Sequence, residues 1–198
     1  MAKRLFDLLV SAAALLMLLP LMLAVALAIR INSPGPVFFR QQRVGRGGAL
    51  FCIHKFRTMQ VDAPNLGPQV TLQRDARITR VGQALRHYRL DELPQLIDVL
   101  LGRMSLVGPR PEVPRFVAHY PIELKAQVLA VRPGITDPAS LAHLDEAQLL
   151  AGSADPEKTY IELILPRKLA LQAQYAASAT LWTDLAVLVR TLRVLVSR

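Results

Sequence analysis

The stretch LLVSAAALLMLLPLMLAVALAI, from Leu8 to Ile29, carries no charged residue, and its reading decides how the rest of the chain is arranged. As a helix it extends about 33 Å, enough to cross the hydrocarbon core of a bilayer. It is too long for the core of a signal peptide and has no small-residue cleavage site after it, so it is expected to stay on the protein. Pro20 lies inside it. Proline removes a helix hydrogen bond and crowds the preceding turn, which predicts a kink near Leu16 to Pro20. Lys3 and Arg4 precede the stretch, and Arg30, Arg40, Arg43 and Arg46 follow it. Basic residues at both ends place both ends on the cytoplasmic side. A helix that enters and returns satisfies both flanks, although a spanning helix ahead of a basic domain stays open on this pattern.

Working outward, the 198 residues suffice for one sizeable core and do not require two independent folding units. Lysine and arginine number 24 against 15 acids, a net charge of +9, so the partner is anionic: nucleic acid, acidic lipid or a phosphorylated substrate. Aromatics make up only 6%, and the basic residues alternate with proline and acids instead of forming a stripe with stacking rings. That argues against a nucleic-acid reader and leaves membrane and phosphate. The single cysteine, Cys52, excludes an internal disulfide and a multi-cysteine metal site, and reads as a small core residue in a reducing compartment.

The chemistry concentrates in Arg86-His-Tyr-Arg-Leu-Asp91-Glu92-Leu-Pro94-Gln-Leu96. Leu93, Leu96, Ile97, Leu100 and Leu101 recur at three-and-four spacing, and Pro94 is tolerated only in a first turn. Asp91 and Glu92 are thereby predicted at a helix N-terminus, where unpaired backbone N–H groups and the dipole favour a phosphate, while the carboxylates demand an added cation. The plainer alternative is that Asp91 merely caps the helix. The loops Val107-Gly-Pro-Arg110-Pro111 and Val131-Arg132-Pro133-Gly134 hold arginines beside prolines, so that little ordering entropy is lost when a planar guanidinium meets an anion. Either arginine could instead be an ordinary exposed turn residue.

The remaining segments place these motifs. Val37–Phe39 and Ala49–Ile53 read as strands around the Gly45-Arg46-Gly47-Gly48 turn, a hairpin whose glycines could cradle a phosphate or simply turn the chain. His54-Lys55-Phe56-Arg57-Thr58-Met59 alternates cations about an aromatic residue, as a solvated edge strand also would. Residues 61–77 read as a loop, and 78–88 as a helix delivering Arg86 toward Asp91. Residues 113–130, interrupted by Pro121, are compatible with helix lying against the membrane. A short helix is expected over 141–150, and Asp155-Pro156-Glu157 opens another. Leu181, Leu185, Leu188, Leu192 and Leu195 line one face of a basic C-terminal helix, suited either to the lipid interface or to the core.

These blocks carry a resemblance. Lys55-Phe-Arg-Thr-Met59, Arg89-Leu-Asp-Glu-Leu-Pro-Gln-Leu96, Met104-Ser-Leu-Val-Gly-Pro-Arg-Pro111 and Val131-Arg-Pro-Gly-Ile-Thr136 follow an N-terminal hydrophobic helix in an order that resembles the small monotopic phosphoglycosyl transferases of the bacterial sugar transferase family. The resemblance covers nearly the whole chain. It implies a re-entrant helix broken at Pro20, with Leu19-Pro20 in place of the family's usual Ser-Pro, and a catalytic domain at the cytoplasmic face of the bacterial inner membrane. It also implies transfer of a sugar 1-phosphate from a UDP-sugar to undecaprenyl or another polyprenyl phosphate, releasing UMP and starting glycan assembly. Asp91 would be the nucleophile, forming a phosphosugar-aspartyl intermediate, with Mg2+ held by Asp91 and Glu92. Arg86, Arg110 and Arg132 would grip phosphates, and Lys55 and Arg57 would add positive charge. After Thr136 familiar members continue Gly-Trp-Ala-Gln, whereas here stands Asp137-Pro-Ala-Ser140, which puts sugar preference and part of the site wall in question.

The expected architecture is α+β and mostly helical: a re-entrant membrane helix over residues 1–31, then a compact catalytic domain over 32–198 with a small β-hairpin and amphipathic interface helices. Two competing readings remain. One is a non-enzymatic, membrane-anchored basic adaptor, and the other a membrane-bound phosphatase or nucleotidyl transferase using the same carboxylates. Homo-oligomerisation is left open.

Overall fold

The computed structural model describes residues 2–63, 66–67, 70–71, 75–142, 149–150 and 152–197. The apolar stretch lies in α1, Ala2–Asn32, a helix long and apolar enough to cross a membrane, with Leu16, Met17, Leu19, Leu23 and Leu27 all exposed. Helical geometry continues through Pro20, so the break expected there is not an interruption, and any change of direction is a bend within one helix.

Both ends of α1 dock on the same body. Near its start, Asp7 is buried and accepts hydrogen bonds from Ser105 Oγ (2.8 Å) and the Leu106 amide (3.3 Å). Lys3 donates to the Val107 carbonyl (3.1 Å) and pairs with buried Asp184. Near its end, Met22, Val25 and Ile29 pack with Phe56 and Leu85. The two ends of α1 thus contact the same body, and the stretch between them carries the exposed leucines.

After α1, strands β1 (Phe38–Val44) and β2 (Leu50–Phe56) pair antiparallel, with Phe38 opposite Phe56 and Val44 opposite Leu50. This is the expected hairpin, two or more residues longer in each strand because the pairing runs through Arg43 and Lys55. Its glycine turn is tied to the end of α5, where the Gly47 amide donates to the Leu129 carbonyl (2.8 Å). Cys52 lies on the outward face of β2 and is exposed; strand alternation buries Ile53 instead, correcting the core reading.

Helix α2 (Arg80–His87) is capped by Thr79, whose hydroxyl accepts from the Gly82 amide at 3.0 Å. Arg89 then adopts a left-handed conformation (φ 54°) and turns the chain into a 3-10 turn, Leu90–Glu92, ahead of α3 (Gln95–Leu100). Short strands β3 (Ser105–Val107) and β4 (Gly134–Thr136) pair in parallel. Gly108 and Gly134 let their backbones meet: a Cβ on Gly134 would come within 2.1 Å of the Gly108 nitrogen. Between the strands lie α4 (Pro114–Val117) and α5 (Ile122–Val128), divided at Pro121 as the sequence indicates.

Val113, Phe116, Val117, Tyr120 and Val128 form the main core with Ile164, Leu165, Leu169 and Ala173. The apolar residues Val113, Phe116, Val117, Tyr120 and Val128 of this stretch therefore face inward, while Ile122, at the start of α5, is exposed. Helix α6 (Pro138–Ala142) follows, and the expected helix over 141–150 lies largely outside the described residues. Helix α7 (Pro156–Thr159), capped by Asp155, runs through a π turn at Tyr160–Ile164 into α8 (Leu165–Ser178). The last helix, α9 (Leu181–Val196), buries Asp184 and Val187 and leaves Leu192 exposed, so its inward stripe is rotated from the expected line of leucines. The fold is α+β and mostly helical.

Candidate active site

Asp91 and Glu92 are both nearly buried, yet their surroundings differ. Glu92 is surrounded by cations: Lys55 Nζ donates to Oε1 at 2.9 Å, Arg110 grips both oxygens with Nη1 3.2 Å from Oε2, and Arg89 Nη1 stands 3.9 Å from Oε2. Among the described residues no hydrogen bond reaches the Asp91 carboxylate. Burial raises the Asp91 pKa above the ordinary carboxylate value, and the negative Glu92 beside it adds to the rise while Lys55, Arg86 and Arg110 oppose it. Burial would raise Glu92 as well, but Arg110 and Lys55 outweigh it and hold that carboxyl well below its usual range. One carboxylate is thus spent on cations and the other left available.

Asp91 and Glu92 stand just ahead of α3, as expected, with Leu93 and Pro94 carrying the helical backbone into it. The pair itself lies in a 3-10 turn, and Lys55, Arg86 and Arg110 stand near it. These side-chain cations add their positive field to that of the helix start.

These groups line a cleft of about 1180 Å³. Lys55, Arg57, Arg86, Asp91, Glu92 and Arg110 all face it. Arg86 is steadied by a 2.8 Å hydrogen bond from Nε to Thr58 Oγ1. Arg57 is committed elsewhere: its guanidinium donates to the carbonyls of Pro34 (2.5 Å) and Ser33 (2.8 Å), tying the end of α1 to the cleft rim. Arg132 does not face the cleft. Its Nε donates to the Gly102 carbonyl (3.0 Å), closing the turn after α3.

Several functional groups escaped the sequence reading. Asp137, fully buried, accepts from the Arg110 amide (3.0 Å) and from Gln172 Nε2 (2.8 Å), which fixes the Arg110 loop to α8. Asp98, also fully buried, accepts from the His54 amide and from His54 Nδ1, each at 2.8 Å, and so ties α3 to β2 beside Lys55. Glu112, Tyr160 and Lys168 form a buried polar cluster on the same cleft, with Lys168 Nζ 3.3 Å from Glu112 Oε1 and 2.9 Å from the Tyr160 hydroxyl. A signal existed: Lys168 and Gln172 fall on the stripe of Ile164, Leu165 and Leu169, where a charged residue must find a buried partner.

As to a metal, no group of three or more His, Cys, Asp or Glu side chains is gathered among the described residues. Mg2+, however, keeps several waters and takes one or two carboxylates plus substrate phosphates. Asp91, a hard oxygen donor without a hydrogen bond, fits that role; Glu92 can join only by releasing a cation.

Fold and cleft together define a protein with an apolar helix anchored at both ends and an anion-binding cleft built on a carboxylate pair. The chain belongs to the bacterial sugar transferase family, whose family model matches residues 1–198. It is 39% identical over 197 residues to the UDP-N-acetylgalactosamine-undecaprenyl-phosphate N-acetylgalactosaminephosphotransferase of Aeromonas hydrophila, covering 98% of this chain and 44% of that protein. It is also similar to UDP-glucose:undecaprenyl-phosphate glucose-1-phosphate transferases. The one from Xanthomonas campestris pv. campestris is 40% identical (96% of this chain, 38% of that protein) and the one from Caulobacter vibrioides 41% (96% and 67%). The chain thus spans less than half the length of the first two relatives.

Proposed function

We propose that this chain transfers a sugar 1-phosphate from a UDP-sugar to undecaprenyl or a similar polyprenyl phosphate, with Asp91 as nucleophile. The observation that carries the reading is the division of labour between Asp91, buried and without a hydrogen bond among the described residues, and Glu92, held by Arg110 and Lys55. An Asp91 oxygen attacks the sugar-linked phosphorus, and the bond from that phosphorus to the bridging oxygen breaks as UMP departs. The phosphosugar-aspartyl ester is then attacked by an oxygen of the lipid phosphate. The Asp91–phosphorus bond breaks, the carboxylate is regenerated and the sugar leaves on a polyprenyl diphosphate.

Lys55, Arg86 and Arg110 offset charge as two anions approach, and their pre-arranged positions strengthen the effect. Mg2+, held by Asp91 and in exchange for a cation by Glu92, would supply further charge neutralisation at the diphosphate. With both ends of α1 on the body, the cleft stands at the membrane surface. There the acceptor presents its phosphate, and the search becomes two-dimensional. We place that surface at the cytoplasmic face of the bacterial inner membrane, on the basic residues flanking α1, and the product would begin a glycan.

The relatives' printed activities support this assignment, as does the conjunction of apolar helix and cationic cleft. The test is UMP release on mixing the chain with UDP-sugars, Mg2+ and polyprenyl phosphate, together with a sugar-phosphate mass increment on the protein when the acceptor is omitted. UMP without the increment would reject the covalent route, and retention of the β-phosphate on the nucleotide would reject sugar-phosphate transfer.

A further inference from the structure

The cleft has two unlike ends. Pro36, Phe38 and Phe56 form one, beside the turn where Arg57 holds the end of α1. The other carries Arg43, Glu112, Ser140, Tyr160 and Lys168, from β1, the loop after Arg110, α6 and the α7–α8 segment, set among the apolar Val113, Phe116 and Leu150. We infer that this second wall is the glycosyl subsite of the donor and sets which sugar is accepted, an inference that rests on the sugar-phosphate transfer proposed above.

Three observations carry it. Glu112, Tyr160 and Lys168 are each more than nine-tenths buried, yet place a carboxylate, a phenol and an ammonium on an open cleft, a costly arrangement for groups that only fill space. Ser140 Oγ and Arg43 Nε are buried without a hydrogen-bond partner among the described residues, the condition a ligand hydroxyl would relieve. Position is the third. Arg43 Nη1 stands 3.6 Å from Glu112 Oε2, and its guanidinium feels Glu92 and Arg110 as well, so the wall adjoins the reacting carboxylates. The apolar end beside α1 faces the lipid's approach. The glycosyl group of a donor whose phosphorus sits at Asp91 is assigned to the polar end, and the UMP arm of the experiment distinguishes it from the uridine.

The chemistry suits a sugar. Mixed donors and acceptors at fixed positions match hydroxyl stereochemistry, and an epimer that leaves one of them unpaired is penalised far more than a loss of apolar contact would penalise it.

The experiment uses the full chain in lipid nanodiscs and measures UMP release from UDP-glucose, UDP-galactose, UDP-N-acetylglucosamine and UDP-N-acetylgalactosamine. Tyr160→Phe, Ser140→Ala and Lys168→Met should change the kcat/KM ratio between the best donor and its C4 epimer by about tenfold in at least one variant, while inhibition by UMP shifts less than about threefold. A wall that only ties α8 to the Arg110 loop would lower all donors by one factor. Ratios within about twofold of the parent in both Tyr160→Phe and Ser140→Ala, which remove only a hydroxyl, would overturn the inference. If the parent chain releases no UMP from any donor, the transfer reading itself has failed; an active parent with unmoved ratios defeats the subsite alone.

Discussion

Lys55 Nζ lies 2.9 Å from Glu92 Oε1, and it is Glu92, not the adjacent Asp91, that Lys55 and Arg110 neutralise. Two neighbouring carboxylates thereby acquire opposite pKa shifts, which is how a single turn can hold one permanently charged group and one reactive one.

Asp91→Asn keeps the shape of the side chain and removes the nucleophilic oxygen. Turnover should fall by at least about a thousandfold, and the sugar-phosphate mass increment should vanish. Intact-protein mass spectrometry with UDP-sugar alone checks this, and an increment in the variant would remove Asp91 from the nucleophile's role.

The pH dependence follows from the raised Asp91 pKa. The reaction needs the carboxylate, so kcat/KM should decline as pH falls through a pKa above the ordinary aspartate value, starting at higher pH than a solvent-exposed aspartate would allow. Glu92→Gln removes a like charge and frees Lys55 and Arg110 to face Asp91. Its acid limb should therefore move to lower pH, while activity drops by about ten- to a hundredfold and the Mg2+ requirement shifts upward. An unmoved limb would show that the pair does not titrate together.

The two prolyl-loop arginines should separate cleanly. Arg110→Ala leaves Glu92 short of its principal cation and should raise KM for the nucleotide donor with a large loss of kcat. Arg132→Ala removes one hydrogen bond to the Gly102 carbonyl and should cost about 0.5–1.5 kcal/mol of stability with donor KM unchanged. Donor titrations and thermal unfolding of both variants decide the point.

The docked ends of α1 predict topology. In a Cys52→Ser background, cysteines placed at Ala2 and at Ala179 should be labelled from the same side of the membrane. Pro20→Leu straightens the helix and should release the N-terminus to the opposite side only if the contacts of Lys3, Arg4 and Asp7 are also broken, as by adding Asp7→Leu, which leaves Ser105 Oγ and the Leu106 amide without their acceptor. Crossing by Pro20→Leu alone would mean that the proline, and not the docked N-terminus, holds the topology.

Local chemistry made much of this protein legible from its residues. An uncharged run of helix-forming residues has one economical environment, lipid. The hairpin, the helix opened at Asp155, and the break at Pro121 follow from backbone preferences that act over a few residues. The carboxylate pair and the arginine of the Gly-Pro-Arg-Pro loop stood out because charge set beside proline and an apolar helix is unusual. What only the tertiary structure decided is the pairing of distant charges: which of Asp91 and Glu92 is neutralised, that Arg132 and Arg57 are bound to backbone carbonyls, that Asp137, Asp98, Asp184 and Lys168 turn inward, and that both ends of α1 rest on one body. The physical reason is that an ion pair or a buried carboxylate is a property of two chain segments brought together, and residues some 18 to 181 positions apart carry no local mark of the partner they will meet.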